Sequence, residues 1–408
     1  MNKISIDIIS FEDSHLHLII KGSNEYGLDK SIMNALRRIL LDEIPTTAFH
    51  YDEQSDEKDI LILKNNTSLH NEMMLQRISF LPLYIDPNTD KKYLFECHVQ
   101  HDGKTPFQFI HSNHIQIYPQ LDEPSNDDKL DNSNYNLDNP LNQTEKDKIF
   151  RPYLFRDQKN YCLLTELKNT YSGISSQELH FFASPSVKTG HTKSNYQPCS
   201  RISYSFLEDD SLINEILSDK FTLENIDPED QESYRTKFLN RESERYFHRD
   251  NFNEPNQYNF NIESQHFLDS KQLFILSIEI LLQKCNQLRD DLLFFLENKP
   301  SSVSIDKTND FVYHFTLNQQ NHTLGNLLQN HIVRRSIHEK SLLNGCAYKK
   351  PHPLEESILF ILSINSKHKI SKQNEVQKVQ LLTEFLRSQL EECKSDIKIL
   401  LQSTKDTF

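Results

Sequence analysis

The chain has 408 residues, enough for two or three domains with a sizeable core, which excludes a small disulfide scaffold. Its 45 lysines and arginines against 59 aspartates and glutamates give a net charge of −14 at pH 7. Because this sign repels phosphate backbones, we do not expect the chain to hold DNA alone. Apolar residues make up only 36%, so polar inserts are expected between the cores.

The sequence lacks the motifs common in nucleotide and metal enzymes. Its seven glycines form no GxGxxG or GxxxxGK[ST] loop, and no Asp-x-Asp triplet is present to hold paired magnesium ions. The six cysteines form no CxxC pair, which favours reduced intracellular thiols. In Cys97-His98-x-x-His101 a fourth ligand is missing, and a strand would turn Cys97 and His98 to opposite faces. We therefore expect no metal, no cofactor and, without an 18-residue apolar stretch, no membrane span.

The first fifty residues predict two strands and a helix. Apolar and polar residues alternate over residues 1–20, as in half-buried antiparallel strands. In LDKSIMNALRRILLDEIP, one helical face carries Leu28, Ile32, Leu36, Ile39 and Leu40. This spacing predicts an amphipathic helix of about four turns.

Residues 51–249 predict a β-rich domain inserted after this helix. Short alternating segments such as DILILK, YLFECHV and HIQIYP are separated by turn residues. Between residues 120 and 148, 12 of 29 residues are Asp or Asn, so this segment is predicted to be disordered. An acidic docking segment is the alternative. A polar, charged stretch follows at about 208–250.

Two long helices with apolar seams are predicted in the rear of the chain. The first seam has residues spaced alternately by four and three: Phe274, Ile278, Leu281, Cys285, Leu288, Leu292 and Phe295. After a linker at 299–308, residues 309–408 predict a strand, a helix from about His322, another strand and a last helix. The last helix carries the second seam, Val379, Leu382, Leu386, Leu390, Cys393, Ile397 and Leu400.

The front and rear of the chain share a plan of strands, an amphipathic helix, more strand and a long helix. Aligning SIMNAL (31–36) with TLGNLL (323–328) superposes Asn34 and Asn326 among apolar neighbours. We expect the two apolar stripes to pack on each other, because this buries both. The alternatives are that each long helix covers its own sheet, or that the last helix forms a coiled coil with another chain.

The segment NALRRILLDEIPTTAF (34–49) resembles the signature helix of the RNA polymerase α-like family. That family includes the bacterial α subunit, the archaeal D subunit and the third-largest subunit of polymerase II. Further segments follow in the family's order. NEMMLQRISFLPL (71–83) is similar to the segment ending in an "IPL"-type turn, GHTKSNYQP (190–198) to the "GxxHAKxxP" stretch, and EPNQYNFNIES (254–264) to the strand before the long helix.

The rear of the chain resembles the small partner in this family, the archaeal L subunit or eleventh subunit of polymerase II. NHTLGNLLQNHI (321–332) is similar to its "DHTLGNLLR" helix, and CAYKKPHPLEESILFIL (346–362) to its "GYxxPHPL" turn and next strand. The two resemblances imply a fusion of the subunits that form the α-like heterodimer. Such fusions are associated with large DNA viruses that replicate in the cytoplasm, which implies the host cytoplasm and the virion as locations.

The resemblance implies an α+β fold and a role without chemistry. Residues 1–50 and 250–298 are expected to form a discontinuous α-like dimerisation domain, and residues 309–408 a small L-like α/β unit, together an intramolecular pseudo-heterodimer. Such a heterodimer is a platform for the largest and second-largest polymerase subunits and for small assembly subunits, and it meets DNA only through the complex. The family's third subunit often carries a four-cysteine zinc loop, which Cys97 alone cannot supply.

The candidate functional residues fall into two groups. The residues predicted for the interface with other subunits are Asn34, Arg37, Arg38, Leu41, Glu43 and Arg77. The residues predicted for the intramolecular interface are Leu36, Phe274, Ile278, Leu281, Leu288, Leu292, His322, Thr323, Leu324, Gly325, Asn326, Leu328, Leu382, Leu386, Leu390 and Ile397. No catalytic residue is predicted.

Two functions of other classes stay open at this point. The chain could be an enzyme with a divergent site around His191 and Lys193. It could also be a regulatory adaptor that docks a basic factor through the acidic 120–148 segment.

Overall fold

The computed structural model describes residues 4–12, 14–23, 28–51, 58–89, 91–121, 128–169, 176–265, 267–337 and 341–408. Two compact units divide the chain. Unit 1 comprises Met1–Leu40, Arg201–Ser264 and Ser270–Phe408, and unit 2 comprises Leu41–Ser200 and Gln265–Asp269. Both units mix helices and strands, which confirms the α+β class.

The described residues form eighteen strands and eight α-helices. The strands are β1 (Ser5–Glu12), β2 (His15–Lys21), β3 (Pro45–Ala48), β4 (Ile60–Asn65), β5 (Tyr93–Gln100), β6 (Phe107–His111), β7 (Gln116–Pro119), β8 (Tyr153–Phe155), β9 (Gln158–Asn160), β10 (Leu163–Lys168), β11 (Glu178–Ala183), β12 (Ser186–Thr189), β13 (Cys199–Phe206), β14 (Gln257–Ser264), β15 (Val303–Asn309), β16 (Val312–Asn318), β17 (Leu343–Lys349) and β18 (Ser357–Ile364). The helices are α1 (Lys30–Asp42), α2 (Asn71–Ser79), α3 (Gln143–Phe150), α4 (Asp210–Leu223), α5 (Gln231–Glu242), α6 (Ser270–Leu296), α7 (His322–Ser336) and α8 (Glu375–Thr407).

Unit 1 contains two four-stranded sheets with the same connectivity. The front sheet has the order β1-β2-β14-β13, and the rear sheet has the order β15-β16-β18-β17. In each portion, two neighbouring strands are followed by a helix and then by a strand at the far edge of the sheet. The next strand lies between this edge strand and the second strand, and a long helix follows it. Helix α1 therefore corresponds to α7, and α6 corresponds to α8.

The strands at the centre of both sheets bury one face. Side chains alternate between buried and half-buried positions along β2, β14 and β18, as the period of two requires for a sheet covered on one side. Helix α1 buries the apolar stripe that its sequence predicts, including Ile32, Leu36 and Ile39. The sequence patterns of β2, β14 and α1 are thus sufficient to orient these elements, whereas β18 is apolar on both faces from 358 to 362.

The long helices α6 and α8 pack on each other in unit 1. Both seams are buried along most of their length, at Leu273, Phe274, Ile278, Leu281, Cys285, Leu288 and Leu292 of α6 and at Leu382, Leu386, Leu390, Cys393, Ile397 and Leu400 of α8. The predicted seam residues Phe295 and Val379 are only half-buried. Arg289 Nη1 lies 3.2 Å from Glu391 Oε1, and Lys405 Nζ lies 2.8 Å from Glu279 Oε1. The earlier residue of α6, Glu279, pairs with the later residue of α8, Lys405, and the later residue Arg289 pairs with the earlier residue Glu391. The two helices are therefore antiparallel.

A tight turn joins α6 to the rear sheet. Asn298 has a positive φ of 56°. Its N–H donates to the carbonyl of Phe295, and the N–H of Lys299 donates to the carbonyl of Phe294, which is the Schellman pattern of a helix end. Residues 299–308 were expected to form a linker, but β15 begins at Val303. The prediction is wrong there because β15 is a polar edge strand that buries only Val303 and so lacks the alternating signal.

Unit 2 contains the four-stranded sheet β4-β11-β5-β7. Its core includes Phe95, Ile117 and Phe181 of the sheet, Met74 of α2 and Ile149 of α3. Smaller pairs of strands, β3-β12, β6-β10 and β8-β9, complete the described part of this unit. The expectation of a β-rich insert therefore agrees with the content of unit 2.

The observed boundary of unit 2 differs from the expected insert of residues 51–249. Unit 2 runs over Leu41–Ser200 and Gln265–Asp269, whereas Arg201–Ser264 belongs to unit 1. The reason is that β13 is hydrogen-bonded to β14 and completes the front sheet. Helices α4 and α5, which fill the charged stretch at 208–250, bury Ile213, Leu217 and Phe238 in a small cluster of their own.

The described part of the 120–148 segment is folded, so the prediction of disorder is wrong for residues 128–148. Tyr135 is buried with Leu94 and Phe182, and α3 contributes Ile149 and Phe150 to the unit 2 core. The Asp and Asn residues cap and turn the chain, since Asn142 Oδ1 accepts the N–H of Glu145 at the start of α3. Residues 122–127 lie outside the described residues. Among the described helices, none has the length and apolar content needed to cross a bilayer.

Helix α7 lies on β17 through Gly325. A Cβ on Gly325 would come within 2.6 Å to 3.0 Å of three ring carbons of Tyr348. The helix can therefore approach the strand this closely only with glycine at this position.

We predict that Gly325→Ala lowers the free energy of unfolding by up to about 2 kcal/mol. Overpacking costs about 1–3 kcal/mol, and the better helix propensity of alanine returns only about 1 kcal/mol. Urea unfolding followed by far-UV circular dichroism measures the change. Gly345→Ala is the matched control, because a Cβ there has no atom within 4 Å. Equal stability of the two variants would contradict the proposed close approach.

Candidate subunit-interface site

Helix α1 contacts helix α7 through Arg38 and Thr323. Arg38 Nε donates to Thr323 Oγ1 over 3.1 Å, and Thr323 is buried. The Asn321 side chain caps α7 by accepting the N–H of Thr323 over 2.9 Å. Burial raises the pKa of Tyr348, and the nearby positive charge of Arg38 acts in the opposite direction. Arg38 thus contacts the rear portion of the same chain.

Arg37 lies one residue earlier and makes a contact within its own helix. Its Nε and Nη2 donate to Asn34 Oδ1 over 3.3 Å and 3.0 Å. Both side chains are half-buried. A guanidinium has five N–H donors in a planar fork, so two bonds to Asn34 hold its plane without using its full capacity. Arg37 is therefore a pre-oriented cation on α1.

Arg334 near the end of α7 contacts two carboxylates, one just before α1 and one between α5 and β14. Its Nη2 is hydrogen-bonded to Oδ2 of Asp250, whose side chain is fully buried, and its Nη1 lies 3.7 Å from Asp29 Oδ2. The Arg334 side chain is itself 17% exposed. In such surroundings a carboxylate without its partner is strongly unfavourable.

Arg334 and the neighbouring Arg335 also affect His331 on α7. Burial and then the charges of Arg335 and Arg334 lower the pKa of His331 to about 3. His331 is therefore neutral at pH 7, and its approach to Glu392 of α8, 3.7 Å from Nε2 to Oε2, is not an ion pair there.

The residues predicted for the intramolecular interface all belong to unit 1. His322 is exposed and Asn326 is half-buried, while the others are buried. The buried residues are Leu36 of α1, Phe274, Ile278, Leu281, Leu288 and Leu292 of α6, Thr323, Leu324, Gly325 and Leu328 of α7, and Leu382, Leu386, Leu390 and Ile397 of α8.

The other predicted interface residues lie in unit 2. Leu41 and Glu43, at and just after the end of α1, are half-buried. Arg77 on α2 is exposed, and its Nη2 donates to the carbonyl of Leu163 over 2.9 Å. Met73 on the same helix and Phe80 just after it are also exposed, at 47% and 55%. This side of α2 thus presents a cation beside apolar side chains.

The GHTKSNY segment fastens loops within unit 2. Asn195 Nδ2 donates to the carbonyls of Phe49 and Ser79, over 2.8 Å and 3.1 Å. The N–H of His191 donates to the carbonyl of Asp42 over 2.9 Å, and the Lys193 ammonium lies 5.0 Å from the centre of the Tyr51 ring. These contacts explain the segment by its structural role rather than by chemistry at His191 and Lys193.

Sequence reasoning missed the contact of Arg334 with Asp29 and Asp250. Arg334 and Asp250 are 84 residues apart, and no local pattern joins them. The basic pair Arg334-Arg335 in the last turn of α7 is equally consistent with a favourable interaction with the helix dipole.

The comparison with protein families agrees with this geometry. The profile of the RNA polymerase Rpb3/Rpb11 dimerisation domain matches residues 24–285, well over half of the chain. The chain therefore belongs to the RNA polymerase Rpb3/Rpb11 dimerisation-domain family.

Individual relatives match over shorter stretches. The chain is 31% identical over 81 residues to DNA-directed RNA polymerases I and III subunit rpac1 of Dictyostelium discoideum, which is 19% of this chain and 21% of the relative. It is 29% identical over 97 residues to the RPAC1 subunits of Homo sapiens and Bos taurus, 24% of this chain and 23% of each relative. The chain thus spans about a fifth to a quarter of the length of these relatives.

We predict that Arg334→Met lowers the free energy of unfolding by about 3–5 kcal/mol, because it leaves the buried Asp250 carboxylate without its cation. Lys405→Met is the matched control. Lys405 pairs with Glu279 of α6, but both side chains are nearly half exposed, so this loss costs about 0–1 kcal/mol. Urea unfolding of the two variants and the parent chain measures the difference. An Arg334 variant as stable as the Lys405 variant would contradict the buried pair.

Proposed function

We propose that the chain is a non-catalytic assembly-platform subunit of a multisubunit DNA-directed RNA polymerase, carrying both halves of an α-like heterodimer in one polypeptide. The observation that carries this proposal is the repeated sheet connectivity of unit 1 together with the packing of α6 on α8. The family match over residues 24–285 supports the front half directly.

The contacts between the two portions support an intramolecular pseudo-heterodimer. The front portion is Met1–Leu40, Arg201–Ser264 and α6 of unit 1, and the rear portion runs from β15 to α8. The α6/α8 seam supplies apolar burial, Arg38 and Thr323 join the two shorter helices, and Arg334 neutralises carboxylates of the front portion. Each portion thus covers apolar surface that the other would otherwise leave exposed.

The short connection explains what a fusion would add. The chain passes from α6 to β15 through a Schellman turn, and Ser302 Oγ donates to Asp291 Oδ2 of α6. Tethering makes the association intramolecular, with an effective concentration of about millimolar or higher for short connections. The pairing then no longer depends on the concentration of a separate partner.

The platform binds its neighbours through surfaces that the intramolecular pairing leaves accessible. We assign the contact with the second-largest subunit to Arg37, which Asn34 holds in place. We assign Arg38 to the same contact, although its Nε also donates to Thr323 within the chain. Leu41, Glu43 and Arg77 are assigned to subunit contacts as well. Arginine, whose planar guanidinium can donate several hydrogen bonds at once, is enriched among the hot spots of protein interfaces.

The remaining partners follow from the same proposal. These are the largest subunit and small assembly subunits, with DNA reached only through the complex, as the charge of −14 favours. An origin in a large DNA virus, with the host cytoplasm and the virion as locations, belongs to the proposed fusion. The acidic segment gives little support to the adaptor alternative, because its described part contributes Tyr135 and α3 to the interior of unit 2.

We predict that Arg37→Glu lowers the recovery of the second-largest subunit when the complex is purified through this chain. The change replaces a pre-oriented cation by an anion, and a charge reversal within an interface typically costs several kcal/mol. Quantitative mass spectrometry of the purified complex measures the ratio of the two subunits.

Arg241→Glu is the charge-matched control, because Arg241 is exposed on α5. Far-UV circular dichroism checks that both variants are folded. Full recovery of the second-largest subunit with a folded Arg37 variant would refute the assignment of Arg37. Absence of any polymerase subunit from the parent preparation would refute the proposed function itself.

A further inference from the structure

Two histidines face each other on the central strand pair of unit 2. Strands β5 and β11 are antiparallel, and His98 and His180 are direct partners in their register. The imidazole rings stack with centroids 4.2 Å apart and planes inclined by 14°. The neighbouring residues Cys97 and Phe181 point to the other face and are fully buried in the core. The histidines therefore share the face that is turned away from the core.

Two carboxylates complete a polar row on this face. His98 Nε2 lies 3.0 Å from Glu178 Oε1, and His180 Nε2 lies 3.0 Å from Glu96 Oε1. Each pair is diagonal across the two strands, so the arrangement has an approximate local two-fold symmetry. Lys64 Nζ also pairs with Oε2 of Glu178, so both oxygens of this carboxylate have a partner.

We propose that Glu96, His98 and His180 bind a divalent transition-metal ion, with Zn²⁺ as the ion that the donors fit best. Their ligand atoms lie within 4.8 Å of one another. In a tetrahedral zinc site these atoms are about 3.3 Å apart, so small side-chain rotations are sufficient. Two imidazole nitrogens favour zinc over calcium and magnesium, which take oxygen ligands.

The surroundings of the three ligands are those of a supported site. The Tyr118 hydroxyl donates to Glu96 Oε2 over 3.0 Å, which orients the carboxylate from the next strand, β7. The Phe182 ring lies 5.3 Å from the His180 ring and supplies an apolar wall. Glu96 and His180 are about four-fifths buried, whereas His98 is 53% exposed and gives an ion access.

The fourth position determines the role of the ion. Glu178 already contacts His98 and is held from its other oxygen by Lys64, with Nζ 2.6 Å from Oε2. Its carboxylate is not among the ligand atoms that lie within 4.8 Å of one another, so it completes a set of four protein ligands, the pattern of a structural zinc, only after its side chain moves. The ion would then tie β5 to β11 and stabilise unit 2, because it binds the folded state alone. This site is separate from the four-cysteine loop considered above, and the sequence pattern Cys97-His98-x-x-His101 contributes only His98 to it.

The test uses the full-length chain, stripped with a chelator and titrated with ZnCl₂ at pH 7 in a calorimeter. We expect one Zn²⁺ per chain, a higher melting temperature after saturation, and no displacement by Mg²⁺. With Co²⁺ in place of zinc we expect the visible absorption bands of a tetrahedral nitrogen and oxygen site.

Variants distinguish a shared metal site from two independent His–Glu pairs. His180→Gln and His98→Gln should each abolish stoichiometric binding, and Tyr118→Phe should weaken binding by about 10–100-fold while it keeps the ring. His70→Gln is the matched control, because the exposed His70 also has a carboxylate nearby, Glu72, with Nε2 3.6 Å from Oε2. This control should bind zinc like the parent chain.

Three results would overturn the proposal. They are no stoichiometric zinc binding by the parent chain, unchanged binding after either ligand substitution, and a Co²⁺ spectrum typical of six-coordinate solvated ion. If a ligand variant fails to fold, Tyr118→Phe and the Co²⁺ spectrum of the parent chain still decide the question. None of these outcomes depends on the assembly of a polymerase.

Discussion

The burial of one apolar seam against another, α6 against α8, is the interaction on which the architecture of unit 1 depends. Each buried leucine, isoleucine or phenylalanine contributes about 1.5–3 kcal/mol relative to an exposed side chain, and both helices carry such residues along several turns. A helix of this length with an uncovered seam would be a site of aggregation. Each of the two repeated portions of unit 1 therefore covers the apolar seam of the other.

Apolar burial is not directional, so other contacts have to fix the alignment of the two portions. The hydrogen bond from Arg38 to Thr323 and the contact of Arg334 with Asp250 have strict geometry. Removing one partner of such a pair leaves a buried polar group without its bond, which penalises any shifted arrangement. The seam thus provides most of the stabilisation, and the polar contacts select one alignment.

The sequence predicted the elements well where a pattern extends over many residues. The 3–4 spacing in α6 and α8 and the alternation in β2 identify both the type of element and the face that it buries. Composition alone was misleading in the 120–148 segment, because a few residues such as Tyr135 and Ile149 supply the burial that fixes its described part. Strand β15 was missed because an edge strand needs little apolar content.

Contacts between distant parts of the chain could not be predicted from the sequence, and the reason is physical. Whether His98 meets His180, or Arg334 meets Asp250, depends on strand register and on helix packing, and neither is encoded near those residues. The alternation of a strand did predict that Cys97 and His98 face opposite sides, and the structure places Cys97 in the core. The partner across the sheet became visible only with the fold.

The Schellman turn at Asn298 has a consequence for how the molecule is made. Because α6 precedes α8 in the chain, the apolar seam of α6 is synthesised before the helix that covers it. Because β15 begins only a few residues after this turn, the rear portion that covers the α6 seam belongs to the same chain. Every copy of the chain then carries the front and rear portions of unit 1 in a one-to-one ratio.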